Sequence, residues 1–415
     1  MIEITENFPM QRWETMQTFL AECYRPDLAL CALSHFSWQF QADADFANVV
    51  CGWDGDELLG ICGYIPVKMH WGDLSTKNSA AWPINWIVKP KAPPGLGFLL
   101  FRKIQNRFPI VIGSGASSEG KAFYQALKGR YYEHVPRYLC VLNSAKSQPL
   151  TLAESRNQLE EWRAPENGDP ALFLKQRFQL INGEVSLYQK KEKVLEDAAP
   201  SHESIDIHDF RQTERFKKIF LAHYKPDWVK YSCLTFGTVR TINYLMWRYL
   251  EHPVFNYHLA IAGEREKPAL CVWRVEWTVG EANVPVARMV EFFHPDNQTG
   301  VELGKSLLSN ILNELKKQGC AYIDFICSSQ KIGQTLLETG WLAESGDRMI
   351  LPVRLTPIEK TLRHQNVEFV VGKEYPKPAL ESMYITKSDA DEDRPVSKRV
   401  NMREQKKTNL TFIDL

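Results

Sequence analysis

The stretch Val88-Lys89-Pro90-Lys91-Ala92-Pro93-Pro94-Gly95-Leu96-Gly97-Phe98-Leu99-Leu100 joins a strand-like apolar run, residues 80–88, to a helix-like run, residues 97–106. It reads as strand, tight turn, helix. Glycines at positions 95 and 97 let the backbone approach a ligand closely. The free N–H groups of a helix's first turn suit a phosphate. Lys89 and Lys91 are nearby positive charges, and the same composition also fits a plain Pro-Gly surface loop.

The surrounding elements occur twice. Upstream, residues 10–24 have amphipathic helical spacing with Trp13, Met16, Phe19 and Leu20 on one side. Residues 48–53 and 58–71 are strand candidates split by Asp54-Gly55-Asp56, a hairpin signal. Downstream come a short strand at 109–112, a helix at 121–128 ended by Gly129, and a strand at 138–142 that should close the unit. A second set follows: helices at 211–223, 304–318 and 333–338, and strands at 257–262, 269–278, 286–293 and 322–327. Trp38 and Trp247 stand 209 positions apart, and Ser117-Ser118 before Gly129 is matched by Ser328-Ser329 before Gly340. The expected division is a first domain at 1–143, a connector at 144–203, a second domain at 204–355 and a tail at 356–415. Within the connector, a helix at 152–162 and a hairpin at Asn182-Gly183 are expected. Hairpins followed by strand–helix–strand–helix–strand give an α+β fold with a mixed, mostly antiparallel sheet in each copy.

Length alone favours two domains, since 415 residues exceed one ordinary core. Lys+Arg and Asp+Glu both number 50, a balance that argues against nucleic acid as a partner. The nine scattered cysteines contain no C-x-x-C pair, so they read as reduced core residues of a cytoplasmic protein, with no metal site. No apolar run approaches the roughly 18 residues that membrane insertion needs, and the N-terminus lacks a secretory signal.

This order of elements resembles the GNAT acyltransferases, across both copies. In that family a strand ending in Val-x-Pro leads through a Gly-rich turn into a helix, and the turn binds acyl-CoA. Here Val88-Lys89-Pro90 and Gly95-Leu96-Gly97 match, while Ala92 stands where the family has Arg or Gln. The resemblance implies acetyl-CoA or another acyl-CoA as co-substrate, held along Ile87 and Val88 and on Gly95, Leu96, Gly97 and Phe98. It also implies an acid on the last helix, for which Tyr124 is available, one position out of the family's register. Candidate bases are Glu119 and His35, with His70 and His134 as further histidines. In the second copy Glu302 falls where the first glycine should be, and Leu336 and Leu337 replace the tyrosine, so that copy reads as a scaffold.

A repeated indole is most simply a core anchor. Trp38 and Trp86 could instead offer stacking surfaces for a substrate, and twelve tryptophans favour a sugar-type acceptor. Paired GNAT domains of this kind resemble acyltransferases of bacterial surface polysaccharide biosynthesis, which implies an amine or hydroxyl acceptor such as an amino sugar. Two rivals stay open: a FemABX-like transferase using aminoacyl-tRNA, and a non-catalytic binding protein. A homodimer is compatible with either. The run Asp389-Ala390-Asp391-Glu392-Asp393 lies in a charge-dense end, 388–407, expected to be poorly ordered, and reads as a solvated acidic stretch rather than a metal site.

Overall fold

The computed structural model describes residues 2–147 except 25 and 27, residue 150, residues 220–395 except 256, 279–283, 345–350, 356–357 and 360–364, and the short strands Ser204–Asp206 and Thr411–Ile413. The expected connector helix 152–162, the hairpin at Asn182-Gly183 and most of the helix 211–223 lie outside the described residues.

The fold is α+β, with two mixed sheets flanked by helices. The first copy supplies β1 (Glu3–Thr5), β2 (Val49–Asp54), β3 (Glu57–Trp71), β4 (Asn78–Val88), β5 (Ile110–Ser114) and β6 (Arg130–Tyr132). Its helices are α1 (Trp13–Cys23), α2 (Leu33–Gln39), α3 (Leu96–Arg107) and α4 (Ser118–Ala126). After β7 (Arg137–Val141), the second copy supplies β8 (Phe236–Thr238), β9 (His258–Ala262), β10 (Ala269–Trp277), β11 (Pro285–Phe293), β12 (Tyr322–Ile326) and β13 (Leu342–Glu344). Its helices are α5 (Gln298–Lys317) and α6 (Gln330–Glu338). The tail adds β14 (Val367–Val371) and β15 (Met383–Tyr384).

Local chemistry sets these elements. Gly55, at φ +57°, turns β2 into β3 as the Asp-Gly signal requires. Ser117 caps α4 by accepting from the Gly120 N–H at 3.3 Å, and Asn297 caps α5 through the Gly300 N–H at 2.7 Å. In β5, Ile110 and Ile112 point into the core under α1 and α2, while Val111 points into the core under α3 and α4.

The two sheets exchange strands. The first has the order β1-β2-β3-β4-β5-β14-β6, and the second β9-β10-β11-β12-β7-β13. The strand expected to close the first unit, β7, instead lies antiparallel between β12 and β13 of the second sheet. In return β14, from the presumptive tail, lies antiparallel between β5 and β6 of the first. The copies also meet at β8, which pairs with the far end of β3. Trp38 and Trp247 stack on each other, 5.6 Å between ring centroids and 25° between planes. Each indole N–H donates to the other's backbone carbonyl, at 2.8 and 2.9 Å. The repeated tryptophan is thus a clasp in which equivalent residues of the two copies meet.

The charge-dense end is also not what its composition suggests. Residues 389–391 and 393 are buried, held by arginines of the second copy. Arg240 reaches Asp389 at 2.7 Å, Arg274 reaches Asp393 at 2.8 Å, and Arg248 donates to the Ala390 carbonyl at 2.6 Å. Carboxylates that read as solvated in isolation are paired from more than a hundred positions away. No group of residues suited to hold a metal ion occurs among the described residues.

Candidate active site

β4 and β5 run parallel but pair only at Ala80–Ile110 and Ala81–Val111. Beyond that they part. A bulge in β4 leaves Asn85 without a partner on β3 and at φ +49°, turning the strand away from β5. The split between the strands opens into a cavity of about 760 Å³. Its walls are the ends of β4 and β5, the starts of α3 and α4, Glu368 of β14, and Asp391, Glu392 and Arg394 of the tail.

At the base of this cavity two side chains share one glycine. Glu368 lies directly across from Gly113 in the β14–β5 register. A Cβ at Gly113 would collide with the Glu368 carboxylate and would sit 2.7 Å from the Tyr124 hydroxyl oxygen, so glycine is what admits both groups. Glu368 is 2% exposed, and its Oε2 has no hydrogen-bond partner. Burial, reinforced by the charge of Glu392, pushes its carboxyl up to about 8. Tyr124 is buried, and its phenol is raised well above the usual value, first by burial and then by Glu368, so it keeps its proton.

The residues expected from the sequence divide between cavity and core. Val88, Gly97, Trp86 and Tyr124 line the cavity. Gly97 packs close to Trp86: a Cβ there would lie 3.1 Å from the indole nitrogen. Gly95 caps α3 at φ +88° with open space around it, and Phe98 is half exposed beside it. Ile87 packs into the opposite core, and Leu96 is buried under α3, so their side chains face away from the cavity. Lys89 is held by Glu22 at 2.8 Å and Glu57 at 3.4 Å, and Lys91 by Glu57 at 2.6 Å. Both lysines at this turn are thus already paired with carboxylates.

Other expectations fail on position. Trp38 stacks on Trp247 and does not line the cavity. His35 is also elsewhere: it is buried beside Trp38 and His252, and burial, followed by the charge of Arg248, lowers it to about 4. His70 donates its Nδ1–H to the Thr76 carbonyl at 2.9 Å, and His134 is exposed, neither of them on the cavity. Glu119 belongs to the first turn of α4, but its side chain lies outside the described residues. Glu368 was missed altogether. A lone Glu inside the short run Val367-Glu368-Phe369 was its only trace in the sequence.

The second copy has the same split, and the chain itself fills it. β11 and β12 pair at Ala287–Ile323 through Met289–Phe325 and then diverge. Residues 383–389 lie in the gap. On one side Ser388 donates to the Val290 carbonyl at 3.3 Å, and the Tyr384 hydroxyl accepts from the Phe292 N–H at 3.2 Å. On the other, Thr386 bridges to Cys327, and the Ser328 N–H donates to the Ile385 carbonyl at 3.0 Å. Beneath this plug, Glu291 accepts from Arg240 at 2.8 Å, Tyr249 at 2.7 Å and Tyr384 at 2.8 Å. The helix starts place Ser117 level with Ser329, one position beyond the Ser117–Ser328 match expected from the sequence, so the Gly113–Glu368 pair corresponds to Phe325–Tyr138, and Tyr124 to Leu336. Lys305 further ties α5 to α6, bonding Glu302 and Glu338 at 3.0 Å each, and His294 bonds Thr335 at 2.9 Å.

No family model and no curated protein matches this chain. Among solved structures it is similar to a GCN5-related N-acetyltransferase from Anabaena variabilis, at 10% identity over 89% of this chain and 73% of that one, with a TM-score of 0.46. It is similar to a second GCN5-related N-acetyltransferase, from Kribbella flavida, at 11% identity over 89% and 70%, TM-score 0.46. A conserved protein of unknown function from Enterococcus faecalis is similar at 8% identity over 88% and 72%, TM-score 0.45.

Proposed function

We propose that the open split of the first copy is the transfer site of a GNAT-type acyltransferase, which passes an acyl group from acetyl-CoA or another acyl-CoA to an amine. The observation that carries this is the pairing of an unpartnered buried carboxylate, Glu368, with a protonated phenol, Tyr124, at the base of the cavity. A carboxyl near 8 is well matched to proton transfer around neutral pH. Glu368 takes a proton from the acceptor ammonium and releases it to solvent. Tyr124 protonates the departing sulfur and recovers a proton from the acylated nitrogen. One C–N bond forms, one C–S bond breaks, and of the three ammonium protons one stays on the amide, one reaches the thiol and one leaves.

The donor's fit rests on this chain's own geometry. At the start of α3 the space beside Gly95 is open and Gly97 lines the cavity, and the edge of β4 from Pro83 to Val88 faces it. In the second copy the equivalent edge is already covered by residues 383–389, a short strand followed by a turn. An amino sugar entering as its ammonium is a suitable acceptor. A sugar still linked to a nucleotide diphosphate would meet Asp391 and Glu392.

Calorimetric titration of acetyl-CoA and longer acyl-CoAs into wild type and Gly97→Glu tests the reading. Wild type should bind, and the variant should not, with an unchanged circular dichroism spectrum. A wild type that binds no acyl-CoA overturns the proposal.

A further inference from the structure

The roof of the cavity comes from the tail and is anionic. Asp391 and Glu392 face it together with Glu368, against one cation, Arg394, which is paired to Asp391. Glu392 has no ion pair among the described residues, and its carboxylate lies over Gly115, where a Cβ would collide with it. The roof is fixed in place, since the residues on either side of Asp391 and Glu392 are anchored by Arg248 and Arg274 of the second copy. A buried carboxylate with a free oxygen sits at the base, and an unpaired one sits at the roof.

We infer that the acceptor is a small amine carrying a second positive charge: one ammonium faces Glu368 for reaction, and the other is held by Glu392 with Asp391. This rests on the reading of the cavity as the acceptor site. A monoamine would leave the roof carboxylate without a partner. A charge-assisted hydrogen bond in a partly desolvated site is worth roughly 10-fold or more in affinity.

The test is calorimetry at pH 7 with the full chain, using 1,4-diaminobutane, 1-aminobutane and 4-aminobutan-1-ol as probes. Wild type should bind the diamine about 10-fold more tightly than either monocation. Glu392→Gln, which keeps the shape, should remove that preference, and Asp391→Asn should reduce it. Equal affinities, no binding of any of the three, or a preference that survives in Glu392→Gln overturns the inference. Acetyl-CoA titrated into the same samples separates the two readings. Diamine selectivity without acyl-CoA binding sinks only the donor reading. Acyl-CoA binding with turnover of all three amines at equal efficiency sinks only the dication.

Discussion

One fold appears twice in this chain, and the two copies answer the same structural problem differently. Parallel strands that part leave a gap with unpaired backbone edges on both sides. In the second copy residues 383–389 fill the gap, and Glu291 beneath them accepts from Arg240, Tyr249 and Tyr384. In the first copy the gap stays open, and the carboxylate at its base has a free oxygen. A buried polar group without a partner costs stability, and a folded protein retains such groups where they serve a site. The difference between the copies is thus the difference between Glu291, a carboxylate bonded by three donors, and Glu368, one with a free oxygen.

The sharpest way to break this contrast is to remove the poised group. Glu368→Gln should lower turnover by about 10² to 10⁴-fold while leaving acyl-CoA binding intact. The wild-type rate should rise with pH and level off above about 8, where the carboxylate is formed, and the variant should lack that limb. A variant with wild-type turnover would remove Glu368 from the chemistry. Next in size, Arg240→Ala in the filled copy strands Glu291 and Asp389 as uncompensated buried charges. Chemical denaturation should show a loss of about 3–5 kcal/mol. An unchanged midpoint would mean the plug is not what stabilises that split.

A smaller effect follows from linkage. The folded-state carboxyl of Glu368, near 8, lies above its ordinary value of 4.5. Between those values the folded protein keeps a proton that the unfolded chain has released. Stability from this group is therefore full below the lower value and declines as pH rises toward the upper one. The slope is at most about 1.4 kcal/mol per pH unit. Wild type minus Glu368→Gln, measured by denaturation across this range, should show the decline. Parallel curves would mean that Glu368 titrates normally.

Much of this arrangement could be read along the chain, and the rest could not, for physical reasons. The hairpin at Gly55, the start of α3 at Gly95 and the serine cap of α4 are local signals, set by residues within a few positions. The repeat announced two similar sheets. The strand exchange gave no such sign, because the apolar run of β7 is equally satisfied in either sheet. Glu368 escaped for the same reason: its significance comes from facing Gly113 and Tyr124, both far away in sequence. The acidic run was misread because its counter-charges, Arg240, Arg248 and Arg274, lie on other elements. Trp38 was legible as an anchor, but its partner, its own counterpart in the other copy, was not.

The exchanged strands also bear on how the chain must be made. Ser114 of β5 bonds to the backbone of Asn366, 252 positions downstream, at the start of β14. As the polypeptide emerges during synthesis, its first half should wait with a vacancy between β5 and β6, two bare edges open to stray pairing. Closing so long a loop is entropically slow. The order of synthesis therefore runs against the order of assembly. The first copy, where the open cavity lies, is completed only when nearly all of the second has been translated.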